Sequence, residues 1–320
     1  MPTSNENKSF WLGFTAVAIF AITLPMTKWA MGYRPDGSFE AAFSPLFIAF
    51  GRAAVAGVLS VVYLFAVKAK KPTAAQIRIL FVMALGNVFG FPIFQTLGLL
   101  YVTSAHAAVF NGILPLLTAI LSALIFRQKP SFGFWLCATL GGALVMSFAL
   151  FRTGTIVLHW GDFLILLAIL LCAMGYAFGA KLSQTMPAPE ALCWMLTLSL
   201  PITVPASFLT WPEHSISATA WSGFAYLSIF SMWFGMMVWY HALTLGGAVR
   251  VSQVQLLQSF MSIALAAPLL NETIDGMTIV FACAVVSVAF IGKKMPLQTK
   301  TKPLPDSQTN HTINPSLKKP

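Results

Sequence analysis

The sequence predicts an all-α integral membrane protein with ten transmembrane helices, arranged as two inverted five-helix repeats. Three observations carry that prediction. Hydrophobic residues make up 58% of the 320-residue chain and charged residues only 9%, whereas a soluble domain carries about 25% charged residues. Ten apolar runs of roughly spanning length succeed one another along the chain. The basic residues fall overwhelmingly on one side of the alternation those runs define.

The runs begin after a polar segment, residues 1–9, that places Lys8 just before the first of them. The first run, 10–31, is too long for the apolar stretch of a signal peptide and lacks a small-residue cleavage site, so it reads as a retained helix. The others are 44–67, 77–100, 103–126, 132–150, 161–182, 190–210, 218–243, 248–270 and 274–292, parted by short loops rich in Gly, Pro and charge. The third and fourth are joined by almost nothing, near 101–103, and must be antiparallel neighbours. The chain therefore divides into a segment 1–9, a first five-helix repeat 10–150, a second repeat 161–292, and a tail 293–320. The tail's Lys, Pro, Thr, Ser and Asn predict disorder outside the membrane.

With the N-terminus placed inside, the inner loops and tail hold Lys8, Lys68, Lys70, Lys71, Arg78, Arg127, Lys129, Lys181, Arg250, Lys293, Lys294, Lys300, Lys302, Lys318 and Lys319. The outer loops hold only Arg34 and Arg152, and Lys28 and Arg52 lie within spans. That bias predicts both ends in the cytoplasm and an even number of spans. It also explains the net charge of +10 without invoking nucleic acid. Cys137, Cys172, Cys193 and Cys283 all sit in apolar runs without ligand spacing, so they read as small buried hydrophobes rather than a disulfide or metal site. No cofactor or metal is expected.

Two sets of five spans are inverted with respect to each other because five is odd. An offset of 144 residues supports the duplication. In the fourth span, Ser104, Asn111, Thr118 and Ser122 share a helical face with Pro115; adding 144 to the middle positions gives Ser252 (from Ala108), Gln255, Ser259 and Ser262 in the ninth span. In the third span, Asn87, Phe91 and Gln95 lie on one face, and Ser231, Gly235 and Trp239 answer them in the eighth, which also has Trp233, Tyr240 and His241.

Polar side chains inside a bilayer face protein, water or a solute. Asn87, Phe91, Gln95, Asn111, Trp233, Trp239, Ser252, Gln255 and Ser259 are accordingly the candidate substrate-binding residues, the aromatic rings suiting a part-apolar organic molecule. The competing account is interhelical hydrogen bonding, worth ~0.6 kcal/mol per contact, with an interfacial aromatic belt for Tyr240 and His241. Prolines at 25, 92, 115, 201, 205 and 268 free backbone carbonyls. Gly86/Gly90 and Gly175/Gly179 have the spacing of close helix approach.

Lys28, Arg52 and His106 are candidates for charge handling or gating. Arg52 lies about 12 Å into its span with no carboxylate at its depth, since the nine acids fall in loops or at helix ends. It either attracts a substrate anion or snorkels outward, and the second is common for long basic side chains near helix ends. With no mid-span carboxylate, only His106 and His241 could relay protons, so proton coupling is unsupported. No G-x-x-x-x-G-K-[ST] loop is present to drive transport with ATP.

The pattern resembles the EamA family of the drug/metabolite transporter superfamily over residues 10–292. The resemblance rests on Leu24-Pro25-Met26-Thr27-Lys28, Phe50-Gly51-Arg52, the stretch Leu99 to Ala105 running on to Leu114-Pro115-Leu116, and in the second half Ala242-Leu243, Gly246-Gly247-Ala248 and Leu269-Leu270-Asn271-Glu272. Arg127-Gln128-Lys129 departs from the family's Gly-Glu-basic, and Ser259 stands where a proline is common. The resemblance implies a ten-helix bundle around a cavity drawn from the first, third, fourth, sixth, eighth and ninth helices. It also implies architectural roles for Lys28 and Arg52, and carriage of amino acids, other metabolites or drugs. The function expected is a bacterial inner-membrane carrier, not an enzyme, that exports a small amphipathic metabolite by alternating access; its partners are that solute and the lipid bilayer. The alternatives are an organellar nucleotide-sugar exchanger, a non-transporting sensor or scaffold, and a membrane-embedded lipid-modifying enzyme; sparse, scattered acids argue against the last.

Overall fold

Short polar caps divide the apolar sequence into rods. In a computed structural model describing residues 4–125, 129–153, 159–246, 254–255, 257–294 and 297–298, the helices are α1 (Ser4–Met31), α2 (Pro45–Ala66), α3 (Ala74–Gly98), α4 (Ser104–Ile125) and α5 (Phe132–Thr153). After them come α6 (Trp160–Leu182), α7 (Ala188–Leu209), α8 (Ala218–Ala225 continuing through Met236–Gly246), α9 (Leu257–Leu270) and α10 (Gly276–Lys294). Among the described residues, seven helices are long and apolar enough to cross a bilayer, and shorter apolar stretches lie in α5, α9 and α10. Ser252, Arg250, Arg127 and residues 299–320 lie outside the described residues. The tail's first part is not free: Leu297 and Gln298 pair antiparallel with Pro130 and Lys129.

Five of the helix starts have a side-chain cap. Ser44 accepts the Phe47 N–H ahead of Pro45, Thr73 and Gln76 form a reciprocal capping box, Thr103 accepts the His106 N–H, Ser217 that of Ala220, and Asp275 that of Thr278. Such caps satisfy N–H groups that a helix leaves unpaired. α2 and α9 end at left-handed Lys68 and Asn271, with φ of 51° and 54°. Phe65, Phe132 and Leu209 are 80–87% exposed, which only a lipid surround makes tolerable over so many apolar helices.

The pairings follow small residues. α2 packs along α7, α1 along α8 and α9, α3 and α4 along α6, α4 along α9, and α5 along α10. A Cβ at Gly57 would meet Leu196 and Leu200, and one at Gly98 would meet Ile165 and the Gly161 carbonyl. α1 and α8 run antiparallel, with Met26 and Ala30 beside Gly223 and Ile19 beside Gly235; α6 and α3 do the same, with Gly161 beside Gly98 and Gly175 beside Gly86.

Glu272, in the loop after α9, caps α4 from outside. Its two carboxylate oxygens accept the Ser104 and Ala105 N–H groups at 2.9 and 3.0 Å. A carboxylate at a helix N-terminus gains from both hydrogen bonding and the helix dipole. Glu272→Ala should therefore lower the thermal midpoint in detergent by an amount equivalent to about 1–2 kcal/mol, and Glu272→Gln by less. Equal midpoints for wild type and Glu272→Ala would show that water replaces the cap.

Candidate functional site

Two of these helices depart from α geometry, and they do so at corresponding places. Leu85–Gly90 of α3 and Tyr226–Gly235 of α8 are wound as π-helix, a conformation frequent at functional sites. In α3 the cause is local: Pro92 lacks an N–H and crowds the carbonyl four residues earlier, and the wider turn before it relieves that crowding. Asn87 lies in the first π segment and Ser231 in the second.

Both residues face a central cavity with about 1020 Å³ of non-atom space, its open mouth included. Its wall carries Asn87, Phe91, Gln95, Asn111, Gln255 and Ser259, as the sequence predicts, together with Arg52. Ser231 is tied to Thr23 across a 2.9 Å hydroxyl pair, and Ser262 donates to the Ala21 carbonyl at 2.9 Å. Those bonds knit α8 and α9 to α1. The amides are different. Asn87 and Gln95 are 7% and 5% exposed, and among the described residues neither the oxygen nor the nitrogen of either amide has a partner. The Asn111 Oδ1 is in the same state. Leaving buried amides unpaired costs roughly 1–3 kcal/mol per group, so a site that carries three of them beside a cavity is chemically prepared for a hydrogen-bonding occupant.

The structure also moves some expectations. Trp239 is 3% exposed and packs edge-on against Phe20 at 6.3 Å, behind the wall rather than on it. The π segment of α8 is ten residues against six in α3, so it is underwound further and the 144-residue offset stops preserving the facing of residues beyond it. Trp233 packs with Met232 and Tyr240 against the α3–α7 cluster and does not line the cavity. Lys28 is buried with its ammonium 4.3 Å from the Tyr33 ring centre, and His106 is buried against Asp162; neither is on the cavity wall. Arg52 does not snorkel: it is 6% exposed, and its Nε donates to the Met232 Sδ at 3.3 Å. Cys137, Cys172 and Cys193 are buried as expected, but Cys283 is exposed on α10.

Other wall residues carry no signal the polar stripes could reveal. α1 supplies Thr23 and Thr27, α6 supplies Cys172 and Tyr176, and α2 and α7, absent from the expected set of helices, supply Arg52 and the apolar trio Leu192, Met195 and Leu196. Cys172 and Tyr176 stand four residues apart on α6, on either side of Gly175. Their spacing beside Gly175 is the one sequence feature that marks this face.

The long apolar helices define a multi-pass membrane protein, and they enclose a cavity whose wall carries unpaired amides. The model of the EamA-like transporter family matches the chain twice, over residues 7–149 and 159–292, and the chain belongs to that family. It is 38% identical to the uncharacterized transporter YdeK of Bacillus subtilis (strain 168) over 290 residues, covering 90% of this chain and 96% of that one. It is 24% identical to an uncharacterized transporter of Archaeoglobus fulgidus over 270 residues, covering 80% and 92%. A solved crystal structure shares the fold with a TM-score of 0.62 at 15% identity, over 90% of this chain and 98% of the other.

Proposed function

We propose that this protein is a secondary-type transporter of the bacterial inner membrane that exports a small amphipathic metabolite, an amino acid or similar compound, by alternating access. The observation that carries the proposal is the cavity wall, where buried, unpaired Asn87 and Gln95 amides stand among apolar and aromatic side chains. The two transporter relatives support the same reading.

In this reading the chain crosses the membrane ten times with both ends in the cytoplasm, in line with the distribution of Lys and Arg. The halves are inverted repeats. Three features support that: the family match falls once on each half; both π segments lie at corresponding places; and the pairings exchange when each helix is replaced by its counterpart five further on, α1 with α8 becoming α6 with α3, and α1 with α9 becoming α6 with α4. α2 with α7, α4 with α9 and α5 with α10 map onto themselves. Such a pseudo-twofold lets one half rock against the other about a fixed midplane site.

The test has two stages. Metabolite profiles of cells lacking and overproducing the protein should show one solute changing in opposite directions. Flux of that solute in proteoliposomes should then fall about tenfold or more in Asn111→Ala and in Gln255→Ala, with expression and thermal midpoint near wild type, as expected for lost solute hydrogen bonds. Unchanged flux in both variants would remove α4 and α9 from the site.

A further inference from the structure

Among the described residues, the cavity wall holds a single ionised side chain. Arg52 stands on α2, 6% exposed, and lines the cavity among neutral groups. Among the described residues, no acid lines the cavity. Among the described residues Glu40 is bound to Arg34 and Asp162 to His106, and no carboxylate is bound to Arg52. Its one hydrogen bond goes to the Met232 thioether, a weak acceptor. A guanidinium offers five N–H groups in a planar fork matched to a carboxylate. A buried charge without a counter-ion costs several kcal/mol, and a long side chain avoids that cost by reaching the interface where it can. Arg52 instead keeps its head inside.

We propose that Arg52 is the anion subsite of the cavity, and that the cargo is a carboxylate-bearing amphipath with no fixed cationic group. This rests on the transporter reading and revises its cargo from an amino acid to a simple organic acid. The head of such a solute sits on the guanidinium. Its body lies against Phe91, Met195, Met232 and Met236, soft and aromatic groups that adapt to an irregular shape. The Asn87 and Gln95 amides serve any further polar group. A cation is repelled by Arg52 and finds no acid in the wall. A zwitterion places its carboxylate well but leaves its ammonium with neutral acceptors only, so it is held less tightly than the simple anion.

A matched set of probes tests this on the purified full chain: phenylacetate, phenylacetamide, phenethylammonium and phenylalanine, with binding followed by intrinsic tryptophan fluorescence and by thermal shift. Phenylacetate should bind at least about tenfold more tightly than phenylacetamide, the scale of one charge-assisted contact. Phenylalanine should fall between them and phenethylammonium should be weakest. Arg52→Gln should level the acid and the amide, while Arg52→Lys should keep part of the preference because the charge remains and the fork is lost. Equal binding of the acid and the amide, tighter binding of phenethylammonium, an unchanged preference in Arg52→Gln, or no binding of phenylacetate would each overturn the proposal. The wild-type ranking decides the matter even if Arg52→Gln fails to fold. Flux in proteoliposomes separates the two readings. Phenylacetate bound through Arg52 but never moved would leave the anion site and remove the transporter; flux of phenethylammonium with phenylacetate excluded would do the reverse.

Discussion

Gly175→Ala is expected to abolish most transport while leaving the protein folded, whereas Gly86→Ala, on the facing helix, is expected to damage the fold itself. Both glycines lie where α3 and α6 cross. A Cβ on Gly175 would stand 2.4 Å from the Asn87 Oδ1, 2.6 Å from its Cγ and 2.7 Å from its Nδ2. Those atoms are the far end of a flexible side chain, so the amide swings away at modest cost and loses its place at the cavity. A Cβ on Gly86 would stand 2.3 Å from the Leu171 carbonyl oxygen and 3.0 Å from the Gly175 N. Those atoms belong to the backbone of α6, and the clash is relieved only by separating the two helices. Overpacking of that kind costs about 1–3 kcal/mol or more. Proteoliposome flux should thus fall about tenfold or more in Gly175→Ala with a thermal midpoint close to wild type, and Gly86→Ala should show a clearly lower midpoint and yield. The double variant Gly175→Ala with Asn87→Ala should match Asn87→Ala alone, because the second substitution removes the atoms the first displaces. A flux in Gly175→Ala equal to wild type would show that Asn87 does not serve the solute.

The small-residue pairs that set this crossing were legible in the sequence, because four-residue spacing on a helix is a local property. The same holds for most helix ends, where Ser44, Thr73 and Ser217 stand before apolar runs and accept the N–H groups their positions predict. The stripes of Asn87, Gln95, Asn111, Gln255 and Ser259 also reach the cavity as their periodicity implies. What local spacing does not carry is winding and depth. The π segments have no signature beyond Pro92, and their unequal length puts Trp239 against Phe20 rather than on the wall. The direction of a long side chain is likewise set by its neighbours: Arg52 is turned inward beside Met232, where helix-end statistics favour the interface. Tyr176 and Cys172 reach the cavity only because α6 is held close to α3 at Gly175, a fact of assembly rather than of sequence pattern.

His106 shows how a residue at a helix end acquires a partner that sequence spacing cannot supply, and it carries the second large expected effect. Its Nε2 lies 2.7 Å from the Asp162 Oδ1, with the two residues 5% and 1% exposed. The imidazole packs against Phe110 and Phe148, each 5.0 Å away centre to centre, and those two rings lie 6.4 Å from each other. The second carboxylate oxygen of Asp162 accepts the His159 N–H at 3.2 Å and so closes the start of α6. One side chain therefore caps the first helix of the second half and anchors α4 of the first. Asp162→Ala removes both, leaving a buried ring nitrogen unpaired and the cap undone; losses of about 3–5 kcal/mol are usual when one partner of a buried pair is deleted, with about 1 kcal/mol more for a cap. Asp162→Asn keeps an oxygen for each role and should cost markedly less if the bond acts as a neutral hydrogen bond, but nearly as much as Asp162→Ala if the ring is an imidazolium. A double-mutant cycle with His106→Gln, read from thermal midpoints in detergent, isolates the pairwise energy. A coupling energy near zero would mean that the contact is incidental and that packing against Phe110 and Phe148 alone seats His106. A large one would make this bond a principal tie between α4 and α6.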